Sequence, residues 1–463
     1  MADIPDFQTT EEGRQYENEI NIVLTGEKKD YPNYFGGLKI ASGHEFPVYS
    51  PIDPTIQYGI FQEPESGTME EAVSAALKAF DQWAAKTMEE RIGYFKAVPG
   101  VLKARRLHYA ATITVCSGMV REDALAEVDA AIEAIEKILE EASKAGRCRP
   151  QGAWAIITAH NSPFAAPIAY AVAAMVAGNT VVMNPSKYAP MPAHLFYGLM
   201  EKYNLPDGVL NLIVDRKEYT TEDLANDMRL AGVVASGSGE RLENLMFLQV
   251  DDELSFINEL KGMNPALVYR PSDMKGTVKS IMDSAFAYTG QRIHSCSKVI
   301  ITRDDQPKFS ELLSEYMKDL RIDDPVNDTA YSGPLINDES AEAFRNKALE
   351  LMPFTIAKAA PVSKDLPENY VSPIAVCGLD PENDLNFMDS GLPILNVVVV
   401  DSLDMMFEEL ENTECGMSAG LFTKDAKVIE RFNKEVDVPQ KYINSSSRSL
   451  APAFYARLEN FIR

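Results

Sequence analysis

The chain has 463 residues, a formal net charge of −25 and 46% hydrophobic residues. This composition indicates a folded protein of about two to four domains, and it excludes a disordered chain, a collagen-like repeat and a small disulfide scaffold. An isoelectric point near 4.7 without any basic stripe argues against a nucleic-acid partner.

The cysteine spacing indicates a reducing compartment, and the hydropathy indicates that no segment spans a membrane. The five cysteines are scattered without CxxC spacing, which is typical of free thiols and not of a disulfide framework or a zinc site. We expect no bound metal, since the five histidines also form no HExxH motif. No apolar stretch reaches about 18 residues and the N-terminus is polar, so the sequence predicts no membrane span, no signal peptide and a cytoplasmic location.

The first 150 residues read as irregular structure followed by helices. Residues 1–70 contain strand-like pieces, INIVL (20–24) and FPVYSPIDP (46–54). Thr68 and Glu71 have the spacing of a capping box, which predicts the start of a helix. Residues 122–145 repeat apolar side chains every three or four positions, so they predict one long helix with a solvated acidic face.

From residue 153 onwards, short apolar runs alternate with helical patterns. WAIIT, NTVVM, VLNLIV and AGVVAS predict strands, with helices over 165–177 and near 191–203. A second region of the same kind has helices near 273–290 and 307–320, and the strands KVIIT, VVVVDS and AGLFT. This alternation predicts parallel α/β sheets, whose functional loops follow the carboxyl ends of the strands.

Three such positions carry candidate chemistry. SGSGE (236–240) is a glycine-rich turn that can present backbone N–H groups to a phosphate. NPSK (184–187) is another loop at the end of a strand, and Glu259 ends an apolar run where a carboxylate can act as a base. Taken singly, each is also compatible with a plain turn, a cap or a surface charge.

The order of the motifs is more specific than any one of them. HNSPF (160–164), SGSGE, NELKGMNPALV (258–268), FAYTGQRIHSCSKVII (286–301) and ECGMSAGLFTKD (414–425) follow one another. Over residues 45–445 this succession resembles the aldehyde dehydrogenase superfamily, and the 286–301 segment is most similar to pyrroline-5-carboxylate dehydrogenases.

The resemblance implies an α/β fold of the aldehyde dehydrogenase type. It implies a Rossmann-like cofactor domain over 1–245 and an α/β catalytic domain over 246–430. A tail over 431–463 would return to the first domain, with a shortened oligomerisation region. The partners implied are a small-molecule aldehyde or carboxylate and further copies or other chains in an oligomer.

In that family a cysteine thiolate attacks the aldehyde, an Asn stabilises the oxyanion, a Glu activates water and hydride passes to NAD or NADP. Asn161 matches the oxyanion residue and Glu259 the general base. The resemblance places these residues of the chain at cofactor-binding positions: Asn184, Ser186, Lys187, Gly237, Ser238 and Asp389. Lys187, in place of a Glu that holds ribose hydroxyls, would favour NADP over NAD.

Several positions depart from the family pattern. Alignment of GQRIHSCSK places Ile293 at the catalytic cysteine, and Ile has no nucleophilic atom. Cys296 matches a second, non-catalytic cysteine and could attack the aldehyde only if the loop shifted by three residues. Lys261 replaces a Gly next to Glu259. Further departures stand near the cofactor positions: Met263, Asp215 and Gly391.

Two functions therefore remain open on the sequence. The first is a catalytically silent or repurposed homologue with a binding, regulatory or subunit role, which Ile293 and the altered cofactor positions favour. The second is an NAD(P)-dependent semialdehyde dehydrogenase that acts through Cys296 or by a non-covalent route, which Asn161 and Glu259 favour.

Overall fold

The chain folds into two compact units. The computed structural model describes residues 10–26, 29–146, 148–216, 219–238, 242, 245 and 254–462. Of the described residues, the first unit contains those up to 117, those from 121 to 260 and those from 451 onwards. The second unit contains residues 118–120 and 261–450.

The first unit is an α/β structure with helices concentrated in its N-terminal half. Its helices are α1 (Glu11–Thr25), α2 (Thr68–Ala84), α3 (Met88–Phe95), α4 (Val98–Ala104), α5 (Arg106–Ser117), α6 (Arg121–Lys144), α7 (Ala165–Ala177), α8 (Met191–Lys202) and α9 (Tyr219–Ala225). Its strands are β1 (Lys29–Tyr31), β2 (Asn33–Phe35), β3 (Leu38–Ile40), β4 (Glu45–Tyr49), β5 (Gln57–Gln62), β6 (Ala153–Thr158), β7 (Thr180–Asn184), β8 (Leu210–Leu212), β9 (Gly232–Gly237) and β10 (Ser255–Leu260).

A seven-stranded sheet with the order β10-β9-β6-β7-β8-β2-β3 forms the centre of the first unit. The strands from β10 to β8 are parallel, and β2 and β3 complete the sheet with antiparallel pairings. β6, β7 and β9 are buried along their whole length, which is why they read as continuous apolar runs. A smaller sheet has the order β1-β5-β4.

The second unit contains a seven-stranded sheet of its own, with the order β13-β14-β15-β12-β11-β16-β17. β13 is antiparallel to β14, and the other neighbours are parallel. The strands are β11 (Ala266–Val268), β12 (Lys298–Thr302), β13 (Thr355–Lys358), β14 (Ile374–Cys377), β15 (Ile394–Val400), β16 (Ser418–Phe422) and β17 (Gln440–Ile443). The helices are α10 (Met274–Phe286), α11 (Gln306–Met317), α12 (Asp338–Glu350), α13 (Leu403–Glu411) and α14 (Ala426–Glu435).

Among all helices of the described residues, none combines the length and hydropathy that a membrane crossing requires.

The predicted strand INIVL is wrong, because these residues form the last turns of α1. The hydroxyl of Thr10 caps the helix by accepting a hydrogen bond from Gly13 N at 3.2 Å. Tyr16 and Ile20 face the interior at helical spacing, and the Tyr16 hydroxyl lies 3.0 Å from Thr114 Oγ1 on α5. Capping and tertiary packing thus select a helix from an apolar run that is also compatible with a strand.

The predicted capping box at Thr68 is also wrong. The N-cap of α2 is Gly67, whose φ of 87° is left-handed, and no side chain caps the helix there. The capping box is instead at α3, where Glu90 N donates to Thr87 Oγ1 at 3.2 Å and Thr87 N donates to Glu90 Oε2 at 2.7 Å.

The unit boundaries differ from those placed on the sequence. β10 pairs with β9 along its whole length, so the first unit continues to residue 260 and not only to 245. β17 pairs with β16, so the second unit continues to residue 450 and not only to 430. Residues 246–253, which follow the predicted boundary, and residues 239 and 240 of the SGSGE turn lie outside the described residues.

Candidate active site

In the first unit, three predicted site residues meet at one edge of the central sheet. β6, β9 and β10 are neighbours, with Thr158 opposite Ser236 and Ser236 opposite Glu259. Asn161 follows β6, and Gly237 ends β9. The carboxyl ends of parallel strands therefore bring Asn161, Gly237 and Glu259 to the same edge.

Asn161 retains an amide donor without a partner. Its Nδ2 atom is buried and has no hydrogen-bond acceptor within the described part of the chain. Its Oδ1 atom lies against Gly237, where a Cβ would come within 2.8 Å of Oδ1 and 2.3 Å of Ala159 Cβ. Gly237 also has a φ of 130°, so this close approach requires glycine. An unpaired buried N–H can stabilise negative charge on an oxygen placed next to it.

A buried carboxylate that the sequence pattern does not indicate holds the Asn161 loop. Glu127 Oε1 on α6 accepts hydrogen bonds from Ser162 Oγ at 2.6 Å and from the backbone N–H groups of Phe164 and Ala165 at 3.2 and 2.9 Å. The carboxylate thereby caps the first turn of α7, where the helix dipole favours negative charge. The acidic face of α6, predicted to be solvated, is therefore partly buried.

Glu259 is fully buried, and three donors hold its carboxyl group. Oε2 accepts from the Tyr170 hydroxyl at 2.7 Å and from Ser236 Oγ at 2.8 Å. Oε1 accepts from Phe454 N at 2.7 Å, so the C-terminal segment contacts it directly. Burial raises the pKa of Glu259, while hydrogen bonds from these three partners oppose that shift. A general base needs a free lone pair towards water, and this arrangement uses both oxygens for internal contacts.

The predicted cofactor residues after β7 also make internal contacts. Asn184 is buried, its Nδ2 donates to Ile213 O at 2.8 Å and its Oδ1 accepts from Thr221 Oγ1 at 2.9 Å. Ser186 Oγ accepts from Tyr188 N at 3.3 Å. The Lys187 ammonium lies 5.1 Å from the centre of the Tyr188 ring, within the range of a cation–π interaction.

In the second unit, Ile293 and Cys296 lie in the buried loop before β12. Asn264 Nδ2 donates to the carbonyl oxygens of Ile293 at 3.0 Å and Ser295 at 3.1 Å. The Cys296 thiol donates to Lys298 O at 3.3 Å, and burial raises the pKa of this thiol to about 12. Cys296 thus packs as a core residue, the usual environment of a structural cysteine.

A strained turn precedes this loop. The predicted helix over 273–290 ends at Phe286, because Tyr288, Thr289 and Gly290 adopt left-handed φ angles of 51°, 50° and 73°. Such angles cost about 1–2 kcal/mol for a residue with a Cβ. Thr289 N donates to Ser332 Oγ at 2.6 Å, and Thr289 Oγ1 donates to Gly333 O at 2.5 Å, so both contacts stabilise the turn.

Lys261 and Asp389, both at altered family positions, form a buried ion pair. Lys261 Nζ lies 3.0 Å from Asp389 Oδ2 and donates to Gly290 O at 2.9 Å. Asp389 Oδ1 accepts from Gly391 N at 3.0 Å. The lysine thus neutralises the carboxylate and binds the strained turn.

Three buried polar residues are not indicated by the sequence alone: Glu127, Asn264 and Lys298. Asn264 follows Gly262–Met263 and Lys298 follows Ser297 in the motifs of the family pattern, but no spacing rule indicates that a polar side chain will be buried. Among the described residues, no group of three His, Cys, Asp or Glu side chains is arranged to hold a metal ion.

Comparisons with known proteins agree with this architecture. 1-Pyrroline-5-carboxylate dehydrogenase of Bacillus subtilis (strain 168) is 26% identical over 464 residues, which cover 95% of this chain and 89% of that protein. Lactaldehyde dehydrogenase of Escherichia coli (strain K12) is 25% identical over 428 residues and covers 88% of each chain. The structure of 1-pyrroline-5-carboxylate dehydrogenase from Thermus with bound NAD superposes with a TM-score of 0.89 at 19% identity, covering 99% of this chain and 96% of that one.

The likeness in structure confirms the predicted α/β fold of the aldehyde dehydrogenase type. The family model for aldehyde dehydrogenases matches residues 39–455, which include β6, β9, β10 and the loop before β12. The strand order, the sheet edge that carries the candidate site and the family model all agree. The chain belongs to the aldehyde dehydrogenase family.

Proposed function

We propose that this family member does not oxidise aldehydes through a covalent thiohemiacetal and instead has a binding, regulatory or subunit role. The observation that carries the proposal is Ile293. Gly290-Gln291 and Ser297-Lys298 fit the family pattern without a gap, and this fit places Ile293 at the nucleophile position. Loss of a nucleophile from a site that acts as a unit lowers turnover by about 10⁴- to 10⁶-fold.

The environment of Cys296 supports the same proposal. A thiol must ionise before it attacks a carbonyl, and burial raises the pKa of Cys296 to about 12. At neutral pH only about one molecule in 10⁵ would carry the thiolate. The thiol also points its proton at Lys298 O, so a loop shift would have to break this contact first.

The residues at the predicted cofactor positions do not fit the recognition of two riboses. Asn184 uses its carbonyl oxygen and its amide nitrogen for Thr221 and Ile213. The Asp389 carboxylate faces the Lys261 ammonium. Gly237 lies in a turn and has no side chain that could bind a ribose hydroxyl. The proposal therefore includes weak binding of NAD and NADP. It also includes a reducing, cytoplasmic location of the protein, because its five cysteines are free.

A second candidate is NAD(P)-dependent oxidation of a semialdehyde through Cys296 or by a non-covalent route. The unpaired amide of Asn161 favours it, because a donor without a partner suits an oxyanion. The curated relatives include 1-pyrroline-5-carboxylate dehydrogenases, which makes a semialdehyde the first substrate class to test.

Aldehyde-dependent production of NADH or NADPH at high protein concentration distinguishes the two candidates. We expect no turnover with a panel of semialdehydes and only weak binding of either dinucleotide in calorimetric titrations. Turnover that disappears in Cys296→Ala would establish the second candidate with Cys296 as nucleophile. Turnover that persists in Cys296→Ala would establish a non-covalent route, and either result would overturn the first candidate.

A further inference from the structure

A short loop of the second unit presents two large apolar side chains to solvent. Phe387 and Met388 are consecutive and are 49% and 64% exposed. Single exposed apolar residues are ordinary on a protein surface, but aromatic residues and methionine are enriched where proteins bind one another. We refer to residues 380–391 as the 380–391 loop.

Backbone hydrogen bonds fold this loop into successive turns. Asn383 N donates to Asp380 O at 2.9 Å, and Asn386 N donates to Asn383 O at 2.9 Å. Met388 N then donates to Asp384 O at 2.8 Å. The exposed apolar pair is therefore held on a defined backbone and does not lie on an open stretch of chain.

Two buried lysines anchor the same loop. Lys298 Nζ donates to Asn386 O at 2.8 Å, and Lys261 Nζ lies 3.0 Å from Asp389 Oδ2. Both side chains are buried, and a buried ammonium group is unfavourable unless such contacts compensate it. The anchored loop loses little conformational entropy on binding, which favours a docking surface.

The loop also carries negative charge without compensation. Asp380, Glu382 and Asp384 are exposed, and within the described ranges of the chain none of them forms an ion pair. These carboxylates favour a partner with positive charge around the apolar contact. The chain's net charge of −25 opposes both a second copy of itself and a nucleic acid at this surface.

We propose that the 380–391 loop is a docking surface for a partner protein in which lysine or arginine residues surround an apolar pocket that receives Phe387 and Met388. The inference rests on the binding role proposed above and names the kind of partner for it. The carboxylates steer the encounter, and the apolar pair supplies the contact from which water is excluded.

Calorimetry on the full chain with a model peptide tests the proposal. The probe has about 12 residues in which pairs of lysines alternate with pairs of leucines, and its neutral counterpart has Gln in place of each Lys. We expect Phe387→Ser/Met388→Ser to weaken binding of the lysine peptide by about tenfold or more. We expect Asp380→Asn/Glu382→Gln/Asp384→Asn to weaken it more at about 0.05 M than at about 0.5 M salt.

A second exposed apolar pair of the same unit supplies the matched control. Leu349 and Met352 are 65% and 63% exposed, and the neighbouring Glu350 is already paired with Lys347 at 2.8 Å. Leu349→Ser/Met352→Ser should leave binding of the lysine peptide unchanged. Equal effects of the two serine pairs would overturn the proposal, because binding would then not depend on the apolar pair of the 380–391 loop in particular.

Two further results would also overturn it. Equal affinity for the lysine peptide and its neutral counterpart would remove the role of the carboxylates. A dimer of the unmodified chain that dissociates in Phe387→Ser/Met388→Ser would assign the loop to a second copy. No aldehyde or dinucleotide is present in these titrations, so their failure is distinguishable from failure of the proposed function.

Discussion

The loop around Ile293 keeps its backbone contacts independently of the side chain at this position. Asn264 binds the carbonyl oxygens of Ile293 and Ser295, so Ile293→Cys should fold with the thiol in place of the isoleucine side chain. We expect at most slight dehydrogenase activity from this variant. The Lys261–Asp389 ion pair and the internal contacts of Asn184 would remain, and binding of the dinucleotide would stay weak.

NADH or NADPH production from a semialdehyde measures the effect of Ile293→Cys. The same substitution combined with Cys296→Ala is the control, since the introduced thiol is then the only one in the loop before β12. Turnover at the level typical of aldehyde dehydrogenases would contradict the prediction and would show that the lost cysteine is the only defect of the site.

We expect His194 to make the stability of the first unit dependent on pH. Its two ring nitrogens are buried and have no hydrogen-bond partner among the described residues, and the rings of Tyr31, Tyr34 and Phe61 surround it. Burial lowers the pKa of His194 to about 3, against about 6.5 in an unfolded chain. Between these values the unfolded chain binds a proton that the native chain does not, so the free energy of unfolding falls as the pH falls.

Because of His194, we expect the free energy of unfolding to fall by about 2 kcal/mol between pH 7 and pH 5. The slope is about 1.4 kcal/mol per pH unit below the pKa of the unfolded chain. His194→Phe should remove this part of the pH dependence in urea unfolding experiments. His44→Phe, at an exposed position, should retain it. The prediction fails if the unmodified chain and His194→Phe lose the same free energy of unfolding over this range.

At the scale of elements, the C-terminal segment completes the packing of the first unit. Asn179 Nδ2 donates to Phe461 O at 2.7 Å, and the ring centres of Trp154 and Phe461 are 4.6 Å apart. Glu259 accepts a hydrogen bond from Phe454 N in the same segment. We refer to this C-terminal segment, from residue 451 onwards, as the strap. When its contacts are weakened, the core of the first unit loses both buried apolar surface and buried hydrogen bonds.

Phe461→Ala should therefore lower the free energy of unfolding by about 3–5 kcal/mol, because Phe461 is fully buried. Chemical denaturation followed by Trp fluorescence reports this change directly, since Trp154 contacts the ring. Leu38→Ala, at an exposed position on β3, should change stability by less than about 0.5 kcal/mol. Similar values for the two variants would show that the segment contributes little to the fold.

The elements also show what the sequence could predict and where it was insufficient. α7 and the buried strands β6, β7 and β9 follow from apolar runs with clear ends, and the structure confirms them. INIVL is compatible with a strand as well as a helix because its apolar residues satisfy both periodicities, and the Thr10 cap and the packing of Tyr16 select the helix. The helix after 273 stops early because the left-handed turn is fixed by Ser332 and Gly333, more than 40 residues further along the chain.

At the scale of the molecule, motif order predicted the family, and strand ends predicted the edge that carries Asn161, Gly237 and Glu259. The partners of these residues were not predictable from the sequence. Lys261 reads as a departure from the family pattern, and only the structure reveals that it neutralises Asp389, which is 128 positions away in the chain. Periodicity likewise assigns Glu127 to an acidic face, whereas long-range contacts bury it.

The strap formed by the C-terminal segment has a consequence for synthesis on the ribosome. Gln151 and Asn179 bind the carbonyls of Ile462 and Phe461, which are 311 and 282 residues later in the chain. The first unit emerges from the exit tunnel early, but the last pieces of its core are translated after the whole second unit. At about 5–20 residues per second, Trp154 and Asn179 stay uncovered for tens of seconds, until the segment that contains Phe461 and Ile462 is translated.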